Sequence, residues 1–272
     1  MGRGCTGIGL QGRLSRNMAA TLPLRDISLD DKYDSKGKAA LISGPQALVR
    51  LLLTQHRRDA AAGLNTAGFV SGYRGSPVGY VDRAMWDAAQ WLKDENIIFQ
   101  PGVNEDLAAT AVWGTQQLTL MKNATVDGVF AMWYGKGPGV DRSGDAFKHG
   151  NYSGTHPNGG VLAIMGDDHA GKSSTLAHHS EQAMASYQMP VIYPAGTGEF
   201  VRLGLLGWAM SRYAGCWCGF KVVNESIEQT ATIPDDEALE IVRPEKGELP
   251  PEGLHYRGAL TPLLDEIIHK RY

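Results

Sequence analysis

Residues 96–114, NIIFQPGVNEDLAATAVWG, carry the pattern that decides the fold. An apolar run from Asn96 to Val103 is broken by Pro101-Gly102, and Asn104 follows as a good helix cap. Glu105 and Asp106 then occupy a first turn, where the helix dipole favours anions, and an alanine-rich helix runs on to about Met121. The unit is strand, glycine turn, helix, and it recurs in both directions. Upstream, Ser43 or Gly44 opens a helix through ALVRLLLTQHRRDAA, with Leu48, Leu51, Leu52 and Gln55 on one face. Thr66 to Ser71 is a short strand, GYRGSPVGY a Gly/Pro loop, and Asp82 to Lys93 an aromatic-rich helix. Downstream, Asp127 to Trp133 is a strand ending in the loop YGKGPGVDRSGD. Gly160 to Met165 is another, followed by the loop GDDHAGKSS and a helix through SEQAMASYQ. A strand at Pro190 to Tyr193, a helix over about Glu199 to Tyr213 and a strand at Gly219 to Val223 complete the pattern. This alternation predicts an α/β fold: a doubly wound, mostly parallel sheet with helices on both faces.

Composition narrows the function classes. In 272 residues, 43% are hydrophobic and 20% charged, enough for a sizeable core and too apolar for a disordered chain. The net charge of −3 offers no basic field for nucleic acid or acidic lipid. Apolar stretches such as Leu203 to Met210 fall far short of the roughly 18 residues of a membrane span. Three cysteines make no disulfide framework and suit a reducing compartment, so a cytoplasmic location is expected. Glycine is the outlier, at 34 of 272 against roughly 7% on average, which implies many sharp loops where backbone approaches closely. Residues 1–28 read as a disordered or mis-assigned extension, with Met18 a candidate start. Residues 29–226 form the expected domain, and 227–272 the start of a linker or next region, cut off at LLDEIIHKRY.

Several motifs have competing readings. Gly166 to Ser173, GDDHAGKS, satisfies the G-x-x-x-x-G-K-[ST] spacing of a phosphate-cradling loop. Against a nucleotide site, Asp167 and Asp168 would face the phosphates, and no later strand ends in a magnesium-holding Asp. Cys216-Trp217-Cys218 lacks a second ligand pair for a metal and is read as packing. His169, His178 and His179 lie near acids, and no metal is assigned to them. The charges of the glycine loop, Lys136, Asp141, Arg142 and Asp145, are dense for a linker, although a solvated loop with internal ion pairs would also show them. Asn104-Glu105 is open to simple capping. Its strongly apolar flanks make a carboxyl there a candidate for acid–base work as well.

The segments GFVSGYRGSP, FQPGVNEDLAATAVWGTQQ, WYGKGPGVDRSGD, GDDHAGKSST and GWAMSRYAGCW resemble, in the same order, the N-terminal part of indolepyruvate ferredoxin oxidoreductase in its long fused form. The resemblance is dense from about Leu29 to Val223. It implies the pyrimidine-binding domain of a thiamine diphosphate-dependent 2-oxoacid:ferredoxin oxidoreductase. Such an enzyme oxidatively decarboxylates arylpyruvates to acyl-CoA. Tyr73-Arg74-Gly75-Ser76-Pro77 is similar to a Tyr-Pro-Gly-Thr-Pro loop near substrate and cofactor; Ser76 keeps the hydroxyl, and Arg74 gives up the fixed φ of proline. Asn104-Glu105 matches the Asn-Glu pair whose Glu meets the aminopyrimidine ring, which makes Glu105 the expected catalytic residue. Lys136 matches a lysine after the next strand and joins Ser76, Asn104 and Glu105 in holding the cofactor. Tyr73, Arg74, Ser76, Asp168 and Ser173 are the implied substrate contacts. Magnesium and [4Fe-4S] clusters are expected in other domains, since no GDG…N pattern is present and three cysteines cannot hold such clusters. Coenzyme A and ferredoxin are partners of the complete enzyme, a homodimer is expected, and the fragment alone should be inactive. The alternatives are a nucleotide-binding protein using GDDHAGKS, or a non-catalytic fragment that only binds partner chains.

Overall fold

The structure, a computed structural model, describes residues 27–34, 39–173, 175–234 and 240–243. Residues 1–26 of the extension expected over 1–28, residues 35–38, Ser174, and residues 235–239 and 244–272 lie outside the described residues.

β1 (Ala40–Ser43) turns into α1 (Gly44–Ala61) at Ser43, whose backbone N–H donates to Gln46 Oε1 at 3.0 Å. β2 (Thr66–Gly72) follows, then α2 (Val81–Asp87), α3 (Ala89–Asp94) and β3 (Ile97–Phe99). The helix expected over 82–93 is thus two short ones, meeting at Ala88. Next come α4 (Glu105–Thr115) and β4 (Gly128–Lys136), with α4 ending earlier than the expected Met121. The segment expected as a glycine loop is instead helical, as α5 (Gly137–Arg142) and α6 (Gly144–Ser153). Pro138 sits in the first turn of α5, where its missing N–H costs nothing, and Val140, Ala146 and Phe147 are buried. β5 (Val161–Asp167), α7 (Ser180–Ser186), β6 (Val191–Ile192), α8 (Phe200–Ala214) and β7 (Trp217–Val223) continue the alternation. α9 (Asn224–Ile227) and β8 (Thr230–Ile233) close it.

Among the described residues the main sheet is wholly parallel, in the order β3-β2-β4-β5-β7-β6. Side-chain alternation splits its core in two. Phe130, Met132 and Tyr134 of β4, with Leu162 and Ile164 of β5, pack beneath α1, α2 and α8. Ala131 and Trp133, with Val161, Ala163 and Met165, pack beneath α4, α6 and α7. Helices therefore cover both faces. β8 pairs antiparallel with β1, and Ile227 and Ile233 are buried in the first core. Residues 227–233, beyond the boundary expected at 226, therefore pack with the same core. The sequence pattern missed them because β8 alternates exposed threonines and pairs with a strand far away in the chain.

After β3 the chain crosses over β2 to place β4 on its other side. The helices that follow β2 and β4 consequently lie on opposite faces, which makes the carboxyl ends of these two strands the topological switch point of the sheet.

Candidate active site

The chain segments at that switch point are laced together. The Tyr73 N–H donates to the Tyr134 carbonyl at 3.0 Å, and the Gly102 N–H to the Gly72 carbonyl at 2.8 Å. A Cβ on Gly102 would sit 2.7 Å from the Asn104 carbonyl oxygen and 2.8 Å from Ala108 Cβ, so only glycine allows the chain to turn here. Two residues on, extended Asn104 caps α4, its Oδ1 accepting the Leu107 N–H at 2.9 Å. Glu105 thereby becomes the first residue of α4. Trp133 of β4 donates its indole N–H to the Glu105 carbonyl at 3.0 Å and ties that helix end to the sheet. The Glu105 side chain lies across Gly139 in the first turn of α5, where a Cβ would stand 2.5 Å from Glu105 Cγ and 2.9 Å from Oε1. Glu105 is half-buried, and among the described residues its carboxyl has no ion pair or hydrogen-bond donor.

Lys136 ends β4, three residues before Gly139. Its stem crosses Gly75, where a Cβ would meet Lys136 Cδ at 2.9 Å. Lys136 Nζ donates to Ser173 Oγ at 3.3 Å, and Ser173 Oγ donates to the Ser76 carbonyl at 3.3 Å. Ser76 precedes a cis Pro77. The structure thus joins Ser76, Lys136 and Ser173 in one chain. Asp168, expected as a substrate contact, is buried, and its Oδ2 accepts the Ser173 N–H at 2.6 Å. That bond, aided by the N–H groups of Lys172, Ala170 and Gly171 and opposed by burial, holds its carboxyl below the usual range. Asp168 thus shapes the loop from inside through Oδ2, while its buried Oδ1 has no hydrogen-bond partner among the described residues.

The same geometry bears on the phosphate-loop spacing of GDDHAGKS. A phosphate loop needs free backbone N–H groups leading straight into a helix. Here the Ser173 N–H goes to the Asp168 carboxylate and the Gly171 N–H to the Asp168 carbonyl, and α7 begins only at Ser180. Asp167 instead serves the start of α7, accepting the Ser180 N–H at 2.8 Å and its hydroxyl at 2.5 Å. Lys221, buried in β7, lies 3.3 Å from Asp167, hydrogen-bonds Glu181 and sits over the Tyr193 ring at 4.9 Å. Sequence reasoning missed Lys221, although a lone lysine in the apolar run GFKVV was a usable signal. Tyr73 and Arg74 do not join the Lys136 chain. They line a separate cavity of about 230 Å³ with Asp82, Trp86, Pro101 and Val103.

No known family profile and no curated protein matches this chain. Among solved structures it is similar to 2-oxoglutarate:ferredoxin oxidoreductase from Magnetococcus marinus, determined with 2-oxoglutarate, coenzyme A and succinyl-CoA bound. The TM-score is 0.53 at 14% identity, over 77% of this chain and 34% of that one. The likeness is one of fold, and this chain spans about a third of that protein's length.

Proposed function

We propose that the chain is the pyrimidine-binding part of a thiamine diphosphate-dependent 2-oxoacid:ferredoxin oxidoreductase that converts arylpyruvates, such as indolepyruvate, to acyl-CoA. The observation that carries this reading is the unpaired Glu105 carboxyl on its glycine bed at the switch point of the sheet. Ligands of open α/β sheets gather at such switch points. Gly139 lets the Glu105 side chain lie against α5, and Gly102 keeps the Asn104 turn tight, so the carboxyl is held in one place. When bound, thiamine diphosphate supplies the stabilisation of carbanion character that decarboxylation needs. Glu105 would hydrogen-bond the pyrimidine ring nitrogen and hold a proton there, being free of any competing cation. Asn104 fixes the helix start and so the direction of Glu105. Lys136, placed by Gly75, brings positive charge to the same edge, with the Ser76 and Ser173 groups ordered around it.

Tyr73, Arg74 and Ser76 are the proposed substrate contacts, with Ser173 reached through Lys136. Magnesium and the iron–sulfur clusters belong, in this reading, to other domains of the enzyme. Coenzyme A and ferredoxin act through that complete enzyme. Val103 and Leu107, exposed beside Glu105, give a subunit or domain contact an apolar surface. No helix among the described residues is long and apolar enough to cross a membrane.

The test is Glu105→Gln in the assembled holoenzyme, assayed by indolepyruvate-dependent reduction of a viologen dye. Activity should fall at least about 10²-fold, as for loss of an acid–base group, with the melting temperature kept. Near-native turnover in Glu105→Gln, with loss in Asp106→Asn, would assign the role to Asp106 instead.

A further inference from the structure

We infer that Asp82 is a specificity-determining residue: the cavity it lines takes a flat aromatic ring that carries one hydrogen-bond donor, as indole does. Three features of the cavity point this way. Its walls are the aromatic and apolar side chains of Tyr73, Trp86, Pro101 and Val103, which suit the faces of a ring. Its volume, about 230 Å³, is below that of a pocket for a whole ligand and suits a side-chain subsite. Its buried acid is set for one direction of hydrogen bonding. Asp82 Oδ1 accepts the Tyr134 hydroxyl at 2.6 Å, while no donor among the described residues is paired with the second oxygen. An ionised carboxylate accepts only, so a ring N–H or phenolic O–H is matched there and an aliphatic or methylated group leaves the oxygen unpaired. Arg74 on the same wall offers a cation for the carboxylate end of such a molecule.

As the place of the substrate's aryl group, the subsite rests on the function proposed above; as a ring-binding site, it does not. The experiment uses the 272-residue chain with indole and 1-methylindole as probes, their dissociation constants read by calorimetry and tryptophan fluorescence. Indole should bind at least about fivefold more tightly than 1-methylindole, the difference being one charge-assisted hydrogen bond. Asp82→Asn keeps an acceptor for Tyr134 and turns a donor toward the ring, so the preference should vanish. Trp86→Ala should weaken both probes alike. Equal binding of the two probes by the native chain, or no saturable binding of either, overturns the proposal without any variant. Neither probe touches Glu105 or Lys136, so the outcome is separable from the thiamine reading.

Discussion

Gly139 decides where the Glu105 side chain can lie. A methyl group there would overlap Cγ, close to the backbone, rather than the mobile end of the side chain, so Glu105 must move. If Glu105 has the proposed role, Gly139→Ala is therefore expected to lower turnover of the proposed holoenzyme at least about tenfold, as for a misplaced catalytic group, with the fold intact. Circular dichroism alongside the assay separates the two effects. Asp168 belongs to the same scale. Its folded pKa lies below its unfolded value, so its contribution to stability is complete above the ordinary carboxylate range. The contribution fades as pH falls through the lowered folded value. Asp168→Asn should destabilise the chain at pH 7 and give a shallower loss of melting temperature below about pH 4 than the native protein shows. A parallel pH profile in the variant would contradict the assignment. Of these residues, Asn104 and Glu105 were legible in the sequence because capping is local chemistry. The burial of Asp168 was not, since it depends on how the 168–179 loop folds back on itself.

Elements carry the site through a few long-range ties. At the opposite edge of the sheet, Asp59 of α1 and Arg212 of α8 form a buried bidentate pair at 2.6 and 2.7 Å. Gln55 and Thr66 also donate to Asp59, and Arg212 donates to the Gly159 carbonyl. Removing one partner strands a buried charge, so Arg212→Met is expected to cost roughly 3–5 kcal/mol in denaturant unfolding. The double variant Asp59→Leu with Arg212→Met should recover part of that loss. Asn104→Ala removes only a cap and should cost about 1 kcal/mol. The apolar strands of the main sheet were legible by their runs and flanking glycines. α5 and α6 were not, because glycine and proline argue locally for a loop, while burial of Val140 and Phe147 under the sheet decides for helix. The break at Ala88 and the β1–β8 pairing have the same origin in tertiary packing.

At the scale of the whole molecule, the fold class expected from alternating strands and helices is the one observed, a parallel sheet with helices on both faces, while the strand order emerges only from the structure. The sheet places Glu105, Lys136, Ser76 and Ser173 at one edge although they span much of the chain. Ending the chain at residue 226 would strip Ile227 and Ile233 from the core and leave β1 unpaired. It should lower stability by several kcal/mol, at roughly 1.5–3 kcal/mol per buried isoleucine, and a melting curve measures this directly. The central claim is that this edge holds an aminopyrimidine against Glu105. Titration of the chain with 4-amino-5-hydroxymethyl-2-methylpyrimidine, followed by NMR of backbone amides, tests it most directly. The expected result is saturable shifts at residues 102–108 and 136–140, with affinity at least about tenfold weaker in Glu105→Gln and unchanged in Asp106→Asn. Equal affinity in native and Glu105→Gln chains, or shifts confined to other parts of the sheet edge, would contradict it.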